Sequence, residues 1–152
     1  MGGAIARNLV ERGWTVYGFD IDPACKAEAL RNQVIVVDSI GDLARHAPVI
    51  MTSLPSPAAA NDVAQEIALS GQPPKIVIEL STLKISDKLQ FQSILTKAGH
   101  LALDCPLSGT GAQAKNRDLI VYASGDSAAI VDCASLFSDF AKQSVDLGAY
   151  GN

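Results

Sequence analysis

The stretch MGGAIARNLVERGWTVYGFD (residues 1–20) decides how the chain is read. Between Gly2 and Gly13 the apolar positions Ala4, Ile5, Leu9 and Val10 recur at helical spacing, and Gly13 stands where a C-terminal cap belongs. TVYGFD (15–20) then predicts a short strand closed by an acidic residue. A helix that opens on Gly-Gly and leads into a strand ending in Asp is the second half of a strand-turn-helix-strand unit.

The same alternation continues outward. DPACKAEALRN has Pro23 at a first helical position followed by good helix formers, and VIVVD (34–38) is a β-branched strand. SIGDLARHA is a short helix capped by Ser39, PVIMTSLP (48–55) a strand and SPAAANDVAQEIALSG a helix. KIVIELST (75–82) is another buried strand, ISDKLQFQSILTKAG a helix ended by Gly99, and HLALDCPLSG (100–109) a strand and turn. TGAQAKNR reads as irregular, DLIVYAS as a strand, DSAAIVDCASLFSDFA as containing one helix, and QSVDLG as a last strand. Strands apolar on both faces that alternate with helices require a mostly parallel sheet covered on two sides, the doubly wound α/β fold. Ligands of such sheets bind outside the carboxyl ends of the strands. Asp20, Asp38, Ser53-Leu54-Pro55, Ser81-Thr82 and Ser108-Gly109 all fall at those ends.

Bulk composition is compatible with one domain. The 152 residues are 48% hydrophobic and 18% charged, too apolar for a disordered segment. Net charge is -4, and the 12 Lys and Arg residues are scattered, which argues against nucleic acid as a partner. No apolar run approaches the roughly 18 residues that span a bilayer, and no charged-then-apolar leader precedes the first helix, so no membrane partner is expected. Cys25, Cys105 and Cys133 form an odd set without C-x-x-C spacing, which suggests reduced thiols and a cytoplasmic location. His46 and His100 lack ligand-spaced neighbours, so no metal site is expected.

The Rossmann fingerprint consists of a strand, G-x-G-x-x-G, a helix, a second strand and an acid about 20 positions after the motif begins. Asp20 follows Gly2 by eighteen positions. On this reading Gly2 is the third glycine, which permits close helix-strand packing, and the first strand with two glycines is expected ahead of Met1. A Gly-Gly helix start without cofactor significance is the alternative. Asp20 could accept hydrogen bonds from an adenosine ribose while its charge repels a 2'-phosphate, and no arginine follows it in DIDPACK, so NAD is favoured over NADP. The competing reading makes Asp20 a turn residue, with Asp22 the better cap for the next helix.

These stretches together resemble the β-hydroxyacid dehydrogenase family, which includes 3-hydroxyisobutyrate dehydrogenase and the cofactor domain of 6-phosphogluconate dehydrogenase. Met1-Gly2 resembles the M-G of that family's glycine loop, Asn8-Leu9 its N-L pair and Asp20 its ribose position. VIMTSLP resembles the strand whose Leu-Pro end lies along the cofactor, which implies Leu54 and Pro55. VIELST resembles the D-x-S-T segment near the nicotinamide ribose: Ser81 and Thr82 match, while Glu79 replaces the usual Asp. LDCPLSGTGAQA resembles D-A-P-V-S-G-G, the loop that holds the substrate carboxylate. Ser108 and Gly109 match, but Thr110 stands where a second glycine is usual, with a Cβ that restricts positive φ. NRDLIVYASGD resembles G-x-L-x-x-M-V-G-G, with Leu119 and Gly125 kept and Arg117 at a glycine position.

The resemblance implies a Rossmann-like NAD-dependent oxidoreductase domain acting on a small β-hydroxyacid, in a homo-oligomeric full-length protein. It also implies that the catalytic lysine and an all-helical domain lie beyond VDLGAYGN; Lys115 and Lys142 do not match that lysine's motif. The 152 residues are therefore expected to lack catalytic activity, to bind cofactor weakly and to self-associate through unpaired sheet edges. Two other readings stay open: an NADPH-dependent reductase of imine reductase type, which usually carries N-R-T or N-R-S where this chain has Asp20-Ile21-Asp22, and a non-catalytic dinucleotide-binding domain.

Overall fold

A computed structural model describes residues 1–152. The chain opens with α1 (Gly2–Glu11), β1 (Tyr17–Gly18), α2 (Pro23–Arg31), β2 (Ile35–Val36) and α3 (Ile40–His46). It continues through β3 (Val49–Thr52), α4 (Pro57–Leu69), β4 (Ile76–Glu79), α5 (Ile85–Lys97) and β5 (Leu101–Asp104). The last third holds β6 (Leu107–Ser108), α6 (Gly111–Lys115), β7 (Ile120–Ala123), α7 (Ser127–Asp132), α8 (Ala134–Phe140) and β8 (Gln143–Asp146). Every strand read from the sequence forms, each shorter than its apolar run.

Three segments differ from the sequence reading. HLALDCPLSG, read as one strand and a turn, holds a second short strand, β6, because Leu107 and Ser108 pair with β7. TGAQAKNR is not irregular: Gly111–Lys115 is a short helix, because Thr110 and Gln113 form a reciprocal capping box that satisfies its first amides. The single helix expected between Asp126 and Ala141 is two, α7 and α8, which meet at Cys133.

Hydrogen bonding divides the strands into parallel β1-β2, parallel β3-β4-β5 and β6-β7-β8, in which β6 and β7 are antiparallel. The last two groups join. Asp104 pairs with Ser124 in the same antiparallel register that pairs Leu107 with Val121 and Ser108 with Ile120. Since both β5 and β6 oppose β7, β6 carries the chain onward past the carboxyl end of β5. Alternation along β4 sends Val77 to the side of α4 and α5, where it packs with Ile67, Phe91 and Leu95. Ile78 and Leu80 go to the other side, with Ile5 and Leu9 of α1 and Phe137 of α8. Helices thus cover both faces, as buried parallel strands require.

The sheet has one interruption. β1 pairs only with β2 and β3 only with β4, so each leaves a bare edge, and a cleft of about 1430 Å³ runs between them. Its walls are mostly apolar, with Val16 and Gly18 on one side and Val49 and Met51 on the other. No helix of the chain is long and apolar enough to cross a membrane.

Candidate dinucleotide site

Gly2 occupies the first turn of α1, where a Cβ would lie 3.4 Å from the Cβ of Ser53, just past β3. The start of α1 is therefore at the carboxyl end of β3. From there α1 runs away and β1 returns, which brings Asp20 back to the same rim. Met1 precedes the helix without a side-chain cap, so its first amides, those of Gly2 and Gly3, have no partner in the chain. Met1, Gly2, Asp20, Leu54 and Pro55 all line the cleft.

Asp20 and Asp22 divide the local work. Asp22 caps α2, its Oδ1 accepting from the amide of Ala24 at 2.8 Å. Asp20 Oδ1 accepts from the amide of Asp22 at 2.9 Å, an Asx turn that fixes the carboxylate and leaves Oδ2 without a partner in the chain. Asp20 is the largest of the influences that hold the exposed Cys25 thiol above its ordinary pKa, since a second negative charge nearby is unfavourable.

Ser81 and Thr82 lie beyond β4 and do not line the cleft, but Ser81 is tied to it. The amide of Leu54 donates to Ser81 Oγ at 2.8 Å, and the amide of Ser81 donates to Glu79 Oε1 at 2.9 Å. Thr82 is exposed and makes no hydrogen bond of its own.

Ser108 closes β6 and, with Gly109 and Thr110, is exposed, next to Gly111, which lines the cleft. Gly109 has φ +139°, and a Cβ there would meet Leu119 Cδ2 at 2.6 Å, so only glycine fits. Thr110 has φ -94°, an ordinary value that places no demand for glycine at this position. Its amide, however, is already engaged by Gln113 Oε1 at 2.8 Å, whereas the amide of Gly109 has no partner in the chain. The turn is set against α1 by the fully buried Asn8, whose Nδ2 donates to the carbonyl of Ala114 in α6 at 2.7 Å.

Sequence reasoning missed the buried charges beneath this rim. Glu79 and Asp104 are register partners that end adjacent strands, and the ammonium of Lys88, on α5, contacts both carboxylates, lying 2.6 Å from Asp104 Oδ1. All three side chains are less than a tenth exposed. A signal was available. Two acids closing neighbouring buried strands on one face need a counter-charge, and Lys88 shares its helical stripe with the core residues Phe91 and Leu95. Close by, burial pushes the Cys105 thiol up to about 12, with the Asp104 charge adding to the effect.

Parallel strands flanked by helices, an uncapped glycine helix start and an acid past the next strand define a dinucleotide-binding α/β domain of Rossmann type. The family model for the NAD binding domain of 6-phosphogluconate dehydrogenase matches residues 1–148, and the chain belongs to that family. A curated relative, a probable 3-hydroxyisobutyrate dehydrogenase of Mycobacterium bovis, is 26% identical over 151 residues, 99% of this chain and 51% of the relative. The solved structure of Mycobacterium tuberculosis 3-hydroxyisobutyrate dehydrogenase with L-serine superposes with a TM-score of 0.96 at 26% identity, covering 99% of this chain and 52% of that one. Psf3 in complex with NADP+ and 2-OPP superposes at 0.90 with 21% identity over 97% of this chain and 54% of its own, a likeness of fold. The chain spans about half the length of the curated relatives it matches.

Proposed function

We propose that this chain is the cofactor-binding half of an NAD-dependent oxidoreductase that acts on a small β-hydroxyacid. One observation carries the reading: the unpartnered amides of Gly2 and Gly3, the free oxygen of Asp20 and the Leu54-Pro55 segment border a single cleft. Helix-start amides suit a pyrophosphate, and a glycine without Cβ lets it approach. Asp20 Oδ2 suits a ribose hydroxyl and disfavours a 2'-phosphate. When bound, the nicotinamide supplies the hydride acceptor.

The remaining residues position the substrate. Ser108 Oγ and the amide of Gly109 are the free donors for its carboxylate, while Thr110, with its amide engaged, contributes its hydroxyl. In this proposal a further parallel strand of the same polypeptide fills the cleft between β1 and β3, pairing with both bare edges. The general acid-base and the rest of the substrate pocket come from outside residues 1–152, in a cytoplasmic homo-oligomer.

NADH and NADPH fluorescence titrations test the assignment. Saturable NADH binding is expected, weaker for NADPH, with Asp20→Ala weakening NADH and narrowing the difference, and no NADH formed from NAD and β-hydroxyacids. Equal affinity for both cofactors, unchanged by Asp20→Ala, would sink it.

A further inference from the structure

Lys88 does not line the cleft, yet an unbroken series of bonds joins it to the cleft's edge. Its ammonium contacts Glu79 Oε2; Glu79 Oε1 accepts from the amide of Ser81 at 2.9 Å; and Ser81 Oγ accepts from the amide of Leu54 at 2.8 Å. Glu79 is completely buried, so neither oxygen has water as a substitute partner. The lysine is held at both ends: its ammonium also lies 2.6 Å from Asp104 Oδ1, and the hydroxyl of Tyr150 donates to the Lys88 carbonyl at 3.0 Å. Asp104 in turn exchanges backbone hydrogen bonds with Ser124 of the neighbouring strand group.

We propose that Lys88 is a positioning residue for dinucleotide binding: by orienting Glu79 it fixes Ser81, and through Ser81 it fixes the Leu54-Pro55 border of the cleft. This deepens the dinucleotide reading and rests on it. Stability alone does not explain the arrangement, since a buried ion cluster is commonly no more stable than apolar residues of the same volume. What the carboxylate adds is two acceptor ends. Lys88 saturates one, which leaves the other aimed at the Ser81 amide, and the geometry of a planar group then sets where Ser81 sits. The hydroxyl proton of Ser81, unused within the chain, is consequently held at the rim beside Leu54.

Glu79→Gln separates this role from simple packing. Gln has nearly the same shape, and it leaves Lys88 with one buried carboxylate, so the charges balance. An amide accepts at one end only; if its oxygen faces Lys88, its NH2 faces the Ser81 amide, donor against donor. In the 152-residue chain, Glu79→Gln is therefore expected to speed hydrogen exchange at the Ser81 and Leu54 amides by about tenfold or more, with the interior strand amide of Ile78 unchanged. NADH affinity should fall by a similar factor. Lys88→Met should have the same two effects and Lys88→Arg should largely restore both. Combining Glu79→Gln with Ser81→Ala should weaken NADH no further than Ser81→Ala alone. The proposal is overturned if Ser81 and Leu54 protection in Glu79→Gln stays at the wild-type level or changes only in proportion to global stability. Should wild-type chain bind no NADH, the dinucleotide reading fails, while the exchange measurements still decide whether Lys88 and Glu79 fix this border.

Discussion

Gly2 and Ser53 meet across the rim: a Cβ on the glycine would stand 3.4 Å from that of the serine. The start of α1 thus approaches the end of β3 closely, at the place where a dinucleotide is proposed to cross. A methyl group is just accommodated there, while anything longer must enter the cleft. Gly2→Ala should therefore leave stability within about 1 kcal/mol of wild type, helped by alanine's better helix propensity, with NADH binding largely kept. Gly2→Leu should abolish NADH binding without unfolding the chain, as measured by fluorescence titration beside a thermal melt.

The turn after β6 depends on Gly109. Its φ of +139° is poorly tolerated by L side chains, and the buried Leu119 occupies the space that a Cβ would need. Gly109→Ala should cost about 1–3 kcal/mol from strain and overpacking. Urea denaturation reads the loss as a lower midpoint with unchanged slope.

At the opposite ends of β4 and β5, His100 Nδ1 accepts from the amide of Lys75 at 3.0 Å. Burial, and secondarily the charge of Lys75, hold its pKa below the ordinary value. Between that lowered value and about 6.5 the unfolded chain binds more protons than the native one, so stability rises with pH there. The contribution is complete above about pH 6.5 and is lost as pH falls through the depressed folded value. The melting temperature should fall on acidification across this window, and His100→Asn, which offers an acceptor without titrating, should flatten the change.

Bare edges on β1 and β3 border an apolar cleft. Unpaired strands of this kind recruit other strands. Light scattering should show concentration-dependent self-association of the 152-residue chain; a species that stays monomeric over a wide concentration range would contradict the claim that these edges are accessible.

How much of this was legible in the sequence follows from which forces are local. Apolar periodicity places seven of the eight strands and misses the two-residue β6, and Ser39 and Asp22 mark helix starts because a cap is a contact between near neighbours. The capping box at Thr110 and Gln113 was equally local, but five residues carry too little periodicity to be seen as a helix. Arg117 stands at a position where the resemblance has glycine, and it adopts φ +56°, with its guanidinium paired to Glu11 of α1. Arg117 thus adopts a left-handed backbone conformation that glycine would take more readily. The association of Lys88 with Glu79 and Asp104 joins residues up to 25 positions apart, and it becomes visible only when strand register and the face of α5 are combined. That the hydrogen-bonded sheet is interrupted between β1 and β3 depends on pairing, to which periodicity is blind; it was expected only through the Rossmann fingerprint and the family resemblance, which imply a first strand ahead of Met1.

The central claim is that one cleft at the strand rim takes a dinucleotide. Titrating isotope-labelled chain with NAD while recording backbone amide shifts tests it most directly. Saturable shifts are expected at Gly2, Gly3, Asp20, Ile21, Leu54 and Ser81, with Lys75 and His100 at the far ends of the strands unmoved. Shifts centred on those far ends, or none at the α1 start at saturating cofactor, would contradict it.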